Sequence, residues 1–148
     1  MLVSELMTKN AITCHPDEPL HHAAQIMWDH DCGCVPVVDD ANTIRGMITD
    51  RDVCMAALMQ GKSLSEITVG SAMSRTIHRC SPSDDVEKAA ELMRVRQVRR
   101  VPVVDAQGHV MGVLSLGDFV RALSRSAGNG VTTPTVARTL FDISQPSA

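Results

Sequence analysis

The feature that most constrains the fold of this chain is an internal repeat. When the sequence is laid on itself so that Val3 falls on Val69, Val3–Gln60 aligns with residues 69–126 without a gap, and 15 of the 58 positions are identical. Chance would give roughly 3 or 4 identities, because the commonest residue types each make up less than about a tenth of a chain. The identities include the run VPVVD, which occurs at residues 35–39 and again at 101–105. The sequence therefore predicts two copies of one structural unit.

Each copy is predicted to fold as β-α-β-β-α. A short extended segment, Ala11–Cys14 or Ile77–Cys80, comes just before a proline in both copies. Apolar residues then recur at positions i, i+3, i+4 and i+7, which is one face of an α-helix. The VPVVD run is short and β-branched, which favours a buried strand, and a polar turn leads from it to a second strand as in a β-hairpin. A closing helix is expected to begin near Asp50 in the first copy and near Leu116 in the second.

The repeat divides the chain into three predicted parts. Residues 1–66 form the first repeat, residues 67–127 the second, and residues 128–148 a C-terminal tail that is either mobile or exchanged within a dimer. Each unit would expose one sheet face if it stood alone. We therefore expect an α+β protein in which the two units pack sheet against sheet about a pseudo-twofold axis.

Composition narrows the class of protein. Aromatic residues make up only 2% of the chain, so the core must consist of Val, Ile, Leu, Ala and the nine Met. A net charge of −3 gives no reason to expect nucleic acid or membrane as the main partner. The sequence has no apolar run of membrane-spanning length, and its N-terminus lacks the profile of a secretory signal. Five cysteines at ordinary spacings favour reduced thiols, so we expect a cytoplasmic protein.

The repeated motifs resemble the cystathionine-β-synthase (CBS) domain pair, also called a Bateman module. The resemblance rests on MTKN and a following proline, on GCVPVVD and GMITDRD (Gly46–Asp52), and on RRVPVVD and GVLSLGD (Gly112–Asp118). It covers about residues 3–126. It implies that an adenosine-containing ligand such as AMP, ADP, ATP, NAD or S-adenosylmethionine binds in clefts between the copies. That nucleotide would be a regulatory ligand and not an obligatory cofactor.

The resemblance also implies a role and an assembly. CBS pairs commonly control an attached or partner protein, and this chain has no second domain of known chemistry. The regulated partner is therefore expected to be a separate, unidentified protein. Such pairs usually form homodimers through their helices, and helix faces rich in methionine are the expected contact surface: Met27, Met55, Met59 and Met93.

Two hydroxyl–carboxylate pairs are the main candidate ligand residues. Thr49 and Asp52 stand where the hairpin turns into the closing helix, and Ser115 and Asp118 occupy the same places in the second copy. A carboxylate can accept hydrogen bonds from the 2′ and 3′ hydroxyls of a ribose, and a helix N-terminus offers N–H groups to phosphate. The resemblance implies the same contacts. The spacing is equally typical of a capping box, which only stabilises the start of a helix, and one residue can do both.

The two copies differ in charge beside these pairs. Arg51 lies between Thr49 and Asp52, whereas its counterpart Gly117 is uncharged. Because arginine is the usual partner of phosphate oxygens, the first cleft is expected to prefer a phosphorylated nucleotide. A solvated surface arginine is the alternative. Three arginines are candidates to compensate around the second cleft: Arg79, Arg99 and Arg100.

The base of the ligand is expected to lie against apolar residues and backbone groups. For most of these candidates simple core packing is the better explanation. They are Ala11, Ile12, Cys34, Val35, Pro36, Ile77, His78, Val101 and Pro102.

Three rival functions remain open. A metal- or redox-responsive interaction module is conceivable because His30, Cys32 and Cys34 cluster, but C-x-C without a second pair is not the usual zinc spacing. The second rival is nucleic-acid binding by the basic stretch Arg94–Arg100, which lacks stacking aromatic residues. The third is an enzyme, and nothing places a base, an orienting group and an oxyanion donor together. We therefore expect a regulatory protein without catalytic residues or a metal site.

Overall fold

The structure is a computed structural model, and it describes residues 1–125 and 130–146. The elements in chain order are α1 (Val3–Leu6), β1 (Thr8–Lys9), α2 (Leu20–Asp29), β2 (Cys34–Val38), β3 (Ile44–Thr49), α3 (Asp50–Gln60), α4 (Val69–Ala72), α5 (Val86–Arg96), β4 (Arg100–Val104), β5 (Val110–Ser115), α6 (Leu116–Arg125) and α7 (Thr133–Ile143). Five elements of the first copy, α1, α2, β2, β3 and α3, begin at positions that the repeat aligns with the starts of α4, α5, β4, β5 and α6. The predicted helix–strand–strand–helix core of each copy and the α+β class are confirmed.

The opening strand of each copy is much shorter than predicted. Cys14 forms one isolated parallel bridge with Val37, and Cys80 forms the equivalent bridge with Val103. Cys14 N donates to Pro36 O at 3.1 Å, and Val38 N donates to Cys14 O at 2.9 Å. The pairing ends there in both copies because the chain turns at the proline that follows.

The chain forms two compact units, and each contains a piece of the other copy. Unit 2 comprises Ala11–Ile77 and Gln107–Val110, and unit 1 comprises the remaining segments, including Met1–Asn10. In unit 1, β1 pairs antiparallel with β5 in a three-stranded sheet of order β1-β5-β4. In unit 2, Ser74 forms the corresponding bridge with Met47 beside the two-stranded sheet β2-β3. The opening segment of each copy thus completes the sheet built by the other copy.

The glycine of each motif permits this exchange of segments. A Cβ atom on Gly46 would lie 2.6 Å from Ser74 O, and one on Gly112 would lie closer still to Thr8 O. Real Cβ atoms are not found this close to a backbone oxygen, so only glycine allows the segment to approach the strand.

Each unit has its own hydrophobic core. The core of unit 2 contains Leu20 and Ile48, and the core of unit 1 contains Phe119. Met27 and Met93 are only 7% and 0% exposed because both lie on the buried stripe of their helices. This corrects the expectation that these two methionines belong to a contact surface.

The C-terminal segment differs from the predicted mobile or exchanged tail. Residues 133–143 form α7, which packs against α5 and α6 in unit 1. The Thr132 side chain caps this helix by accepting from Thr135 N, and a proline in the first turn is compatible with a helix start. The inner face of α7 is apolar enough to be buried, since Val136 and Ile143 are each 7% exposed. Residues 128–129 and 147–148 of the predicted tail lie outside the described residues.

None of the helices within residues 1–125 and 130–146 is both long enough and apolar enough to cross a membrane.

Candidate functional site at the two capping boxes

The first hydroxyl–carboxylate pair forms a capping box in unit 2. Thr49 ends β3 and is the N-cap residue of α3. Thr49 N donates to Asp52 Oδ2 at 2.9 Å, and Asp52 N donates to Thr49 Oγ1 at 3.2 Å. Both residues are half-buried. The capping role that the sequence offered as an alternative is therefore present here.

This first box leaves part of its carboxylate available. Within the described ranges, Asp52 Oδ1 accepts no hydrogen bond and no basic side chain pairs with Asp52. Arg51 is exposed on the first turn of α3, and its guanidinium forms no ion pair with any residue in those ranges. An acceptor and a cation are thus adjacent and unused at the start of α3.

The backbone at the start of α3 is less available than the sequence suggested. Asp50 N donates to Gly33 O at 3.2 Å, and Arg51 N donates to Asp50 Oδ1 at 2.9 Å. The next amide, that of Asp52, is bonded to Thr49 Oγ1. Since these first three N–H groups already have acceptors, the expected free N–H groups are not present. The remaining donors at the start of α3 are the Arg51 guanidinium and the Thr49 hydroxyl, which accepts from Asp52 N and donates to no described residue.

The second pair forms a capping box of the same type in unit 1. Ser115 ends β5, and Ser115 N donates to Asp118 Oδ2 at 2.7 Å. Asp118 N donates to Ser115 Oγ at 3.3 Å, and Ser115 Oγ donates to Asp118 Oδ2 at 2.8 Å. The other oxygen of Asp118 is also occupied, because Oδ1 accepts from the Arg121 guanidinium and from Thr8 Oγ1 at 3.5 Å. Asp118 is only 6% exposed.

The neighbouring strands bring further predicted residues to each box. Cys34 lies directly opposite Thr49 in the β2–β3 pair, and it is buried. In unit 1, Leu116 N donates to Arg99 O at 2.9 Å, so Arg100 at the start of β4 lies beside the end of β5. Arg100 is half-buried, whereas Arg79, which precedes the buried Cys80, is exposed.

The apolar candidates for the base pocket mostly belong to the cores. Val35 and Val101 are 0% exposed and lie in the hydrophobic clusters of units 2 and 1. Pro36 and Pro102 are buried, and their carbonyls accept from the amides of the two opening segments. Core packing therefore accounts for these four side chains, and a contact with a ligand base stays a prediction.

The five cysteines have different environments. Burial, reinforced by the charge of a nearby carboxylate, raises the pKa of both Cys14 and Cys80 to about 12. Cys34 is buried, whereas Cys32 and Cys54 are exposed. The thiols with raised pKa values are protonated at neutral pH and are poor nucleophiles. Residues 1–125 and 130–146 contain no group of three or more His, Cys, Asp or Glu residues arranged to hold a metal ion.

Three residues at the boxes were not predicted from the sequence. Thr8 contacts Asp118, Ser74 bridges to β3, and Arg121 pairs with Asp118. Thr8 and Ser74 could have been found, because both carry hydroxyls and they occupy equivalent positions of the repeat. Arg121 is three residues after Asp118 on α6, a spacing at which helix side chains meet.

Comparison with known proteins identifies related sequences over nearly the whole chain. A family model described as "CBS domain" matches residues 3–58 and 66–125. The chain is 33% identical over 132 residues to "CBS domain-containing protein YhcV" of Bacillus subtilis, and this alignment covers 88% of the chain and 92% of that protein.

Three solved structures have the same fold and sequence identities of 27–28%. The CBS domain pair of protein MJ0100, in complex with 5-methylthioadenosine and S-adenosyl-L-methionine, covers 84% of this chain and 96% of its own with a TM-score of 0.76. CBSX2 in complex with AMP covers 84% and 96% with a TM-score of 0.72. Hypoxic Response Protein I, with two coordinated zinc ions, covers 82% and 98% with a TM-score of 0.74.

Proposed function

The chain belongs to the CBS domain family as a tandem pair of CBS domains, and on this premise we propose that it is a regulatory module that binds an adenosine-containing nucleotide and signals to a partner protein. The observation that carries the proposal is the unused acceptor and cation at the start of α3, Asp52 Oδ1 and the Arg51 guanidinium. Two CBS pairs of the same fold hold S-adenosyl-L-methionine and AMP, which supports this ligand class.

The chemistry of the first box suits a nucleoside monophosphate. Asp52 Oδ1 would accept a hydrogen bond from a ribose hydroxyl, since a carboxylate is acceptor-only and binds such donors strongly. Arg51 would bind the phosphate through its planar guanidinium. Because the first three N–H groups at the start of α3 already have acceptors, the Thr49 hydroxyl and Arg51 are the donors left for a phosphate, and Arg51 is the one that carries a positive charge.

We further propose that the first box is the main ligand site. Asp118 is buried, and both of its oxygens already accept from Ser115, Thr8 and Arg121. A ribose would have to replace these donors, and breaking a buried, hydrogen-bonded charge pair is costly. We expect one nucleotide per chain at concentrations that saturate the first box.

The decisive experiment is a double-mutant cycle measured by isothermal titration calorimetry. It compares the removal of one protein side chain with the removal of one hydroxyl group of the ligand. AMP and 2′-deoxy-AMP are titrated into the wild type and into Asp52→Asn. Loss of either partner of a hydrogen bond to a charged group is expected to weaken binding about tenfold, or about 1.4 kcal/mol. If Asp52 binds the 2′-hydroxyl, Asp52→Asn should no longer distinguish the two nucleotides. Equal discrimination by both proteins would show that Asp52 does not contact the ribose.

The role of Arg51 is tested by a second pair of ligands. Arg51→Ala should lower the affinity for AMP about tenfold and leave the affinity for adenosine unchanged, because only AMP carries the phosphate. Arg96→Ala is the matched control, since Arg96 is exposed on α5 in unit 1. An unchanged AMP affinity in Arg51→Ala would refute this phosphate contact. If none of AMP, ADP, ATP, NAD and S-adenosylmethionine gives a binding heat when titrated into the wild type, nucleotide binding as a whole is refuted.

The assembly, the partner and the metal alternative need separate measurements. We propose a homodimer, which sedimentation velocity of the full chain would show. One neighbour contains zinc, so protein purified without a histidine tag should also be analysed for bound metal. Stoichiometric zinc in protein that binds no nucleotide would favour the metal-responsive function.

A further inference from the structure

The C-terminal helix α7 covers one helix face of unit 1. It packs against α5 and α6, and its buried residues are Val136, Thr139 and Ile143. Phe119 of α6 is 1% exposed and lies in the same hydrophobic cluster as Val136. Removal of α7 would therefore uncover an apolar surface on two neighbouring helices.

The equivalent face of unit 2 has no such cover among the described residues of that unit. Trp28 and Val53 line an open groove of about 250 Å³ between α2 and α3, and the repeat aligns them with Arg94 and Phe119. Trp28 is 84% exposed, whereas Arg94 is 8% exposed. Since the proposed homodimer would form through such helices, α7 occupies in unit 1 the face that unit 2 leaves to a second copy.

Polar contacts hold α7 on the surface of unit 1. Arg94 donates to Thr139 Oγ1 at 3.2 Å and pairs with Glu91 at 2.6 Å. Thr135 Oγ1 donates to Glu87 Oε2 at 3.1 Å. Because Arg94 and Thr139 are only 8% and 1% exposed, their hydrogen bond is shielded from solvent and fixes α7 in one position.

Attachment to the same chain gives α7 an advantage over a second copy. The helix α6 ends at Arg125 and α7 begins at Thr133, so only residues 126–132 join the two helices. A segment joined by so short a connection acts at an effective concentration on the order of millimolar. A second copy at micromolar concentration would therefore compete poorly for the face of α5 and α6.

We propose that α7 is an autoinhibitory strap that keeps α5 and α6 of unit 1 out of the contact with a second copy of the chain. The proposal rests on the proposed homodimer and adds a control element to it. While α7 is docked, α2 and α3 of unit 2 are the helices left for self-association. Release of α7 adds the face of unit 1 and strengthens self-association.

The test measures the dimer dissociation constant of the full chain by sedimentation velocity over a range of concentrations, without nucleotide. Val136→Asp places a carboxylate in the apolar cluster around Phe119 and should release α7. We expect its dissociation constant to be at least about tenfold lower than that of the wild type. Phe141→Asp is the matched control, because Phe141 is 66% exposed on the same helix, and its dissociation constant should equal that of the wild type.

A second release variant acts through the polar contacts. Thr139→Arg places another cation beside the buried Arg94 and should release α7 by charge repulsion. Circular dichroism of both release variants checks that they are folded. The expected dissociation constant is again lower than that of the wild type.

A synthetic peptide of residues 130–146 tests whether the loss of α7 is the cause. Added in trans to Val136→Asp at a concentration on the order of millimolar, it should cover α5 and α6 again and restore the dissociation constant of the wild type. The same peptide carrying Val136→Asp should have no effect. Restoration also excludes misfolding, because an unfolded unit 1 offers no face to the peptide.

Three outcomes would overturn the proposal. An unchanged dissociation constant in both release variants would show that α7 does not block self-association. Weaker self-association in these variants would mean that α7 holds two copies together, as an exchanged arm would. Weaker self-association in Phe141→Asp would make the exposed side of α7 part of the contact between copies.

The strap and the homodimer can fail separately. A dimeric wild type with an unchanged constant in the release variants would refute the strap and leave the homodimer in place. A monomeric wild type with dimeric release variants would refute the homodimer of the intact chain and support the strap. Monomers throughout would refute both.

Discussion

The two capping boxes have the same sequence pattern and the same backbone hydrogen bonds, but their carboxylates differ. Asp52 in unit 2 is half-buried and keeps one oxygen without a donor from the described residues. Asp118 in unit 1 is buried and accepts from Ser115, Arg121 and Thr8. A capping motif in the sequence therefore predicts where a carboxylate lies. Whether that carboxylate stabilises the fold or remains available to a ligand depends on the residues that surround it.

The largest expected effect is on stability at the second box. Asp118→Ala removes the acceptor of the Ser115 amide and of Arg121, and we expect a loss of about 3 kcal/mol in the free energy of unfolding. Asp52→Ala removes one cap interaction on a half-buried residue and should cost about 1 kcal/mol. Urea denaturation of both variants measures the two losses. Equal losses would mean that burial does not distinguish the boxes.

The second prediction removes the cation that distinguishes unit 1. Met55 occupies the position equivalent to Arg121, so Arg121→Met gives the second box the side chain of the first. Asp118 keeps its bonds to Ser115 but loses its charge partner. Because the arginine side chain is 59% exposed, we expect a moderate loss of about 2 kcal/mol in the free energy of unfolding. A loss below about 0.5 kcal/mol, the usual range for surface substitutions, would show that solvent screens the pair.

The sequence predicted the two longer helices and the two hairpin strands of each copy well because these elements follow from local patterns, whereas the opening strands are shorter than predicted and α1, β1 and α4 were not predicted. The apolar stripe that begins at Leu20 and the VPVVD run recur in the second copy, and so do the helices and strands that they predict. The availability of the carboxylates could not be predicted in the same way. Thr8, which contacts Asp118, lies 110 residues before it in the chain. A local hydrophobic pattern does not indicate which copy supplies the opening segment of a sheet.

The C-terminal helix α7 could have been predicted from its sequence pattern, but the composition of the segment favoured a mobile tail. Two prolines and a glycine-rich start suggested a mobile tail after residue 127. Thr132 is a good N-cap residue, and Pro134 two positions later is tolerated in the first helical turn. The positions of Val136, Thr139 and Ile143 then mark one helix face. What the pattern could not show was the surface on which this face is buried.

The third prediction makes the first box resemble the second. Met55→Arg places a guanidinium three residues after Asp52 on α3, the spacing at which Arg121 reaches Asp118. The new side chain should pair with Asp52 Oδ1 and compete with the ribose hydroxyl, and we expect a tenfold loss of AMP affinity, or about 1.4 kcal/mol. Met55→Gln is the control, because it is polar but uncharged. If Met55→Arg binds AMP more tightly, the added charge acts on the phosphate and not on Asp52.

The smallest expected effect is on stability at the ends of α2 and α5. It shows whether the two units also differ at positions away from the capping boxes. Asp31 and Gln97 are equivalent residues after α2 and at the end of α5, and both have left-handed backbone angles, with φ of 48° and 52°. Glycine adopts this conformation without the steric cost that other residues carry, so Asp31→Gly should add about 0.5–1 kcal/mol to the free energy of unfolding. Gln97→Gly should add less, because it also removes the 3.4 Å hydrogen bond from Gln97 Nε2 to Asp142 O on α7. Urea denaturation resolves this difference if the two variants are measured against the same wild type. A larger gain for Gln97→Gly would mean that α7 strains the end of α5 instead of stabilising it.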